Sequence, residues 1–193
     1  MKLSKILAPL LALCLFASTA CASTFIDAHG NEIQLDDSLE AYAAVTLVGA
    51  NDAARQGETN LGDLWTDALR WFAVSGEINA AFDEDDVKAG NDHIAVDADH
   101  VVALWNGGNL RADIAEGTFG AEALAEVLPF PNKVAVVYMS GAQLLEALEA
   151  ASQALPYTAE TADACASLMQ VSGLTYTVDT AKAYDALEAY GDH

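Results

Sequence analysis

Val101-Val-Ala-Leu-Trp-Asn-Gly-Gly-Asn-Leu-Arg-Ala-Asp-Ile114 carries both a secondary-structure signal and a cluster of polar donors. Its first five residues are apolar without alternation, the pattern of a strand buried on both faces, and Asn106 with two glycines halts it. Adjacent glycines let the backbone take positive φ and approach a ligand closely, while Asn106, Asn109 and Arg111 bring donors to the same place. Arginine's planar fork suits a phosphate or a carboxylate. A single Gly-Gly turn is a weak motif, so the stretch by itself also reads as a plain strand-to-turn connection with a surface arginine.

Downstream, Gly120 to Leu128 has the pattern of a short helix ended by Pro129-Phe130-Pro131-Asn132. Lys133 to Met139 is a second unbroken apolar run, expected as a central strand. Ser140-Gly-Ala-Gln143 is a capping box, and it opens a helix with Leu144, Leu145, Leu148 and Leu155 toward the core and Pro156 at its close. Met169 to Val178 alternates as a strand broken at Gly173, and Thr180 to Tyr190 is a last helical pattern. Upstream, Asn60 is expected to cap a helix in which Leu61, Leu64, Trp65, Ala68, Leu69 and Phe72 recur at threes and fours until Gly76. Asp63 falls in its first turn, where the dipole favours acid, and Arg70 on its solvated face. Val45 to Val48 is a candidate strand leading into a polar loop, Asn51 to Gly57, and Thr24 to Leu35 fits a hairpin around His29-Gly30-Asn31. Phe82 to His100 is rich in acid but lacks the alternating Asp, the Gly and the closing Glu of a calcium loop, so it reads as solvated surface. Interleaved strands and helices with two wholly apolar strands predict a mixed β-sheet flanked by helices on both faces. In such sheets ligands gather at strand ends, where Asn106 to Arg111 lies.

Lys2 and Lys5, the apolar stretch Ile6 to Phe16 and the small residues Ala20-Cys21-Ala22 form a secretory signal peptide over 1–22, too short to span a membrane. The expected product is a single exported domain over 23–193, placed in the periplasm, at the cell surface or outside the cell. Cys21 offers lipid attachment as an alternative to soluble release. With the signal peptide removed, the 8 basic residues fall by Lys2 and Lys5 to 6 against 29 acidic ones, a balance of −23. That surface repels nucleic acid and anionic lipid, and it opposes any anion except where arginines focus the field. Arg55 and Arg111 are the candidates for such a place. Cys165 is left without a partner, so there is no disulfide framework, and stability rests on packing of a chain that is 53% hydrophobic.

Five stretches then fall into a recognisable order: Arg55-Gln-Gly-Glu-Thr-Asn-Leu-Gly-Asp63, Asn106 to Ile114, Glu126-Val-Leu-Pro-Phe-Pro-Asn132, Ser140-Gly-Ala-Gln-Leu-Leu-Glu-Ala-Leu-Glu149 and Gln170-Val-Ser-Gly-Leu-Thr-Tyr176. Together they resemble the C-terminal domain of the 5'-nucleotidase family, over 45–179. The resemblance implies an α+β domain that binds the nucleotide or nucleoside. Two divalent metals and the hydrolysis itself belong to a separate N-terminal metallophosphatase domain, so this chain is expected to supply no catalytic residue, no metal ligand and no cofactor. By the same resemblance Arg55, Asn106 and Arg111 hold the substrate around Gly107 and Gly108, Phe130 stacks on the base, and Asn132 lies beside it. Three departures stand out. Pro131 replaces the family's Gly and removes a backbone donor. The family's later block, a second stacking Phe with Gly-Gly-Asp-Gly, has no match before His193, and the catalytic domain is not matched either.

Three functions compete. The first is an exported nucleotide-binding domain of a 5'-nucleotidase-type phosphohydrolase in nucleotide catabolism, not hydrolytic by itself, either acting beside a separate metallophosphatase chain or left over from a shortened gene. The second is an exported solute-binding protein of an importer, because the hairpin Phe25 to Leu35 is similar to the start of some metal-chelate binding proteins. The third is a small metal-dependent phosphatase using Asp27 and His29, since Asp27-Ala-His29-Gly30 and Gly90-Asn-Asp-His93 are similar to the family's metal motifs. A two-metal centre needs several such ligands, and the chain has only four histidines. No partner nucleic acid and no membrane span is expected.

Overall fold

A computed structural model describes residues 24–26, 32–34, 41–81, 84–90, 96–182 and 184. In chain order the elements are β1 (Thr24–Ile26), β2 (Glu32–Gln34), β3 (Ala41–Ala43), α1 (Asn51–Ala54), α2 (Asn60–Val74), α3 (Glu84–Ala89), β4 (Ala103–Asn106), β5 (Gly117–Phe119), α4 (Ala121–Val127), α5 (Gly141–Ser152) and β6 (Met169–Ser172). Short 3₁₀ turns occupy Glu77–Ala81, Ala98–His100, Gly107–Asn109 and Ala164–Ser167.

The longest helix among the described residues, α2, starts where Thr59 leaves the chain extended and its hydroxyl accepts the Gly62 N–H at 3.1 Å. The cap is therefore Thr59, one residue before the expected Asn60. Asn60 turns outward instead, accepting from the Val48 N–H and donating to the Thr46 carbonyl. Leu61, Trp65, Leu69 and Phe72 form the buried stripe, packed on β4 and β6, each worth roughly 1.5–3 kcal/mol of burial. Leu64 is exposed and Ala68 half-buried, so the stripe is narrower than the periodicity predicts. Arg70 is not on a solvated face. Its Nε donates to the Val101 carbonyl at 3.0 Å and its Nη2 to the Ala98 carbonyl at 2.6 Å, because those carbonyls precede β4 and lack ladder partners.

The strands pair antiparallel throughout: β1 with β2, β3 with β5, and β4 with β6. The hairpin is present with Phe25 opposite Ile33, while Leu35 and the turn lie outside the described residues. Gly173 ends β6 in the left-handed region at φ 87°, and a Cβ there would lie 2.5 Å from the Val101 carbonyl oxygen. The class is α+β as expected, but the described strands form three two-stranded ladders rather than one mixed sheet. The difference lies chiefly at Lys133 to Met139, expected as a central strand. It has no regular structure, and Val136, Val137, Tyr138 and Met139 are exposed. β-branched and aromatic residues favour a strand only where a neighbour accepts their ladder, and no described strand lies along this run.

Val45 to Val48 is likewise no strand; Leu47 alone forms an isolated bridge, to Ile114, and Val45 and Val48 are exposed. The expected loop Asn51 to Gly57 begins with the single turn of α1. The helix after Gly120 and the capping box at Ser140 are as expected, with both reciprocal bonds of the box formed (3.3 and 2.8 Å). On α5 Leu148 is buried but Leu145 is exposed, and Leu155 lies past the helix end. The acidic segment carries helix α3, in which Glu84, Val87, Lys88 and Ala89 are exposed. Of the final helical pattern, Thr180 to Lys182 form no helix, and almost all the rest lies outside the described residues, as do residues 1–22 with Cys21.

Candidate functional site

In β4 the ring of Trp105 meets Trp65 edge-on with centroids 5.2 Å apart, and after Asn106 the chain tightens into the Gly107–Asn109 turn. Two fully buried residues, Leu110 (0% exposed) and Ile114 (2%), pin the chain on the far side of this turn. Between them Arg111 and Asp113 face outward. Asp113 accepts the N–H groups of Gly49 and Ala50, both at 2.8 Å, and so ties the turn to the approach of α1.

The two glycines are required for a different reason from the one their sequence suggests. Neither has positive φ. A Cβ on Gly107 would collide with the Ala54 carbonyl, and one on Gly108 would lie 2.5 Å from the Ala166 Cβ. They allow close approach to other parts of the protein: the Gly107 N–H donates to the Leu168 carbonyl at 2.8 Å, and its own carbonyl accepts from Leu110. Asn106 is engaged at both ends of its amide, donating to the Ala166 carbonyl at 3.2 Å and accepting from Asn109 Nδ2 at 2.8 Å.

Arg111 is held by its backbone N–H, which donates to the Val127 carbonyl at the end of α4. That bond brings the Pro129–Asn132 segment alongside. The guanidinium carbon sits 5.7 Å from the centroid of Phe130, over the ring, while Nη1 donates to the Gly108 carbonyl at 3.1 Å. Phe130 is 41% exposed, so it does not plug the core. The Asn132 N–H donates back to the Phe130 carbonyl at 2.8 Å, closing a turn over Pro131.

Arg55, just after α1, points elsewhere. Its Nη1 donates to the Ala162 carbonyl at 2.8 Å and reaches Asp163 at 3.4 Å, and its buried Nε has no partner among the described residues. The side chain is only 13% exposed, whereas Asp163 is fully exposed, so the carboxylate adds little. The expected residues thus fall into two groups: Arg111, Phe130 and Asn132 in one, Arg55 beside the packed Asn106–Gly108 turn in the other. The bond from Arg111 Nη1 to the Gly108 carbonyl joins them.

Two features had no strong sequence signal. Gln170, in β6, is buried and bonded to the segment on either side of Arg55. Tyr157 donates its hydroxyl to Asp52 at 2.8 Å, and that bond raises the phenol above its ordinary range and keeps it protonated. Near the start of α2 burial raises the Asp63 carboxyl, with the Glu58 carboxylate adding to the effect. Among the described residues no group of three or more His, Cys, Asp or Glu could hold a metal; Asp27, His29, Asp92 and His93 lie outside them. No helix among them is long and apolar enough to cross a membrane.

The chain matches the family model of the 5'-nucleotidase C-terminal domain over residues 20–187. It is 28% identical over 153 residues to the trifunctional nucleotide phosphoesterase protein YfkN of Bacillus subtilis (strain 168), an alignment covering 79% of this chain and 9% of that protein. Its fold is similar to the crystal structure of the 5'-nucleotidase precursor from Thermus thermophilus, with a TM-score of 0.54 and 32% identity over 74% of this chain and 23% of that one. The chain therefore spans less than a quarter of the length of either relative. It belongs to the 5'-nucleotidase family, matching that family's C-terminal domain.

Proposed function

We propose that this chain is an exported nucleotide- or nucleoside-binding domain of a 5'-nucleotidase-type phosphohydrolase, in which residues 1–22 direct export and residues 23–193 form one binding domain. Bond cleavage, and the divalent metals it uses, fall to a metallophosphatase domain or chain that acts beside it. The observation that carries this reading is the Arg111 guanidinium lying over the half-exposed ring of Phe130, next to the Asn106–Asn109 turn. A flat apolar ring with a planar cation over it suits a ligand with a base at one end and a phosphate at the other. In a chain of net charge −21 an anion is admitted only where such a cation focuses the local field. Arg55, Asn106 and Arg111 are the polar contacts in this reading, Gly107 and Gly108 shape the turn, and Phe130 with Asn132 receives the base.

Isothermal calorimetry with AMP and adenosine on the folded chain, after removal of residues 1–22, tests it. Both ligands are expected to bind, AMP more tightly. Arg111→Ala should weaken AMP by about tenfold or more, the worth of a charge-assisted hydrogen bond, and adenosine far less. Phe130→Ala should weaken both alike. Absence of binding heat and of competition with either ligand at millimolar concentration overturns the proposal.

A further inference from the structure

Gln170 is 1% exposed, and its side chain spends its whole hydrogen-bonding capacity on segments more than a hundred residues away. Its carboxamide oxygen accepts from the Thr59 N–H at 3.0 Å and the Thr59 hydroxyl at 3.3 Å. Its nitrogen donates to the Ala54 carbonyl at 3.1 Å and the Gly57 carbonyl at 2.9 Å. Those two carbonyls bracket Arg55 and Gln56, and Thr59 caps α2. Gly62 makes room for the amide, since a Cβ there would run into its oxygen.

The backbone of Gln170 is equally placed. It stands opposite Trp105 in the β4–β6 ladder, one residue before Asn106. The Ala54 carbonyl that Gln170 binds is also the surface on which Gly107 packs too closely for any side chain. One residue therefore pairs with the last but one residue of β4, shortly before the Gly-Gly turn, and bonds the stretch that carries Arg55.

We infer that Gln170 is a positioning residue of the nucleotide site: it holds Arg55 in register with the Asn106–Arg111 turn, and ligand affinity depends on it although it touches no ligand. The inference rests on the nucleotide-binding reading above. A buried amide whose partners all belong to backbone and cap cannot be replaced by an apolar or charged group without freeing those partners to move.

Two variants and two measurements test it. Gln170→Met keeps length and loses all four bonds, whereas Gln170→Glu keeps the size and an acceptor and loses at least one of the two donors. In the ligand-free chain, native-state hydrogen exchange is read at the Gln56 and Gly57 amides, both bonded to the Ala53 carbonyl. Exchange there should speed by about tenfold relative to the amides of α5. An equal acceleration everywhere, or none, overturns the inference. AMP affinity is then measured in a double-mutant cycle with Arg55→Ala. Gln170→Glu should weaken AMP about tenfold with Arg55 present and less than about twofold without it; additive losses overturn the coupling. If Gln170→Met does not fold, Gln170→Glu carries both measurements. If the unsubstituted chain binds no AMP, the nucleotide reading and the affinity claim fall together, while hydrogen exchange still decides whether Gln170 holds the Arg55 segment.

Discussion

The turn that follows β4 and the run from Phe130 to Met139 are both short, both apolar in part, and both flanked by proline or glycine, yet they are held in opposite ways. Around the turn Leu110 and Ile114 are buried, Asn106 and Gly107 are bonded to Ala166 and Leu168, and Asp113 gathers two amides from the approach to α1. In the run Val137 and Tyr138 are 65% and 75% exposed, and among the described residues the only backbone bond is the one closing Phe130–Asn132. Apolar composition alone does not secure a segment. Bonds and packing from parts of the chain distant in sequence do, and the candidate site stands where the secured turn meets the start of the loose run, at Arg111 and Phe130.

Substitutions can break that contrast directly. Leu110→Ala should cost about 2–5 kcal/mol by urea denaturation, because it opens a cavity under the turn. A cost below about 1 kcal/mol would mean that the turn is not anchored there. Gly107→Ala should cost about 1–3 kcal/mol, since its new methyl meets main chain rather than a yielding side-chain tip. Away from both regions, Ser140→Ala removes one half of the α5 capping box and should cost about 1 kcal/mol, a scale against which the other losses are read. In the loose run Val137→Ser should change stability by no more than about 0.5 kcal/mol and raise solubility. A loss on the scale of Leu110→Ala would show that the run is buried in solution.

The smallest expected effect is a slope. Burial, with Glu58 nearby, raises the folded-state pKa of Asp63, which sits next to the Gly62 that cradles Gln170. Its stabilising contribution is therefore complete below the unfolded carboxyl pKa and is lost as pH rises through the raised folded value. Asp63→Asn should flatten the fall of Tm with rising pH across the mildly acidic range; an unchanged slope would show that the carboxyl is not held in that state.

Features governed by a few consecutive residues are legible in the chain itself. The capping box at Ser140, the hairpin with Phe25 opposite Ile33, the short helix after Gly120 and the break at Gly173 each depend on local backbone chemistry, and each stands where the residues place it. The cap of α2 lies one residue from its expected place because Thr59 and Asn60 both suit it, and the competing demand of Val48 and Thr46 for the Asn60 amide decides between them. Arg70 escapes a local reading because the carbonyls that capture it belong to a segment roughly thirty residues away. Of the candidate site, the residue types are legible and their grouping is not: no spacing tells that Arg111 covers Phe130 while Arg55 reaches for Ala162.

By itself the amino-acid order determined the family, the α+β class, most helix positions and the acidic surface, because these follow from composition, periodicity and the succession of five short blocks. The tertiary structure alone decided why the two glycines are needed, which arginine meets the aromatic ring, and that the Gln170 amide bonds the backbone on either side of Arg55. Those outcomes depend on contacts across as many as 116 residues of chain, and the identity of a residue does not state which distant carbonyl it will meet.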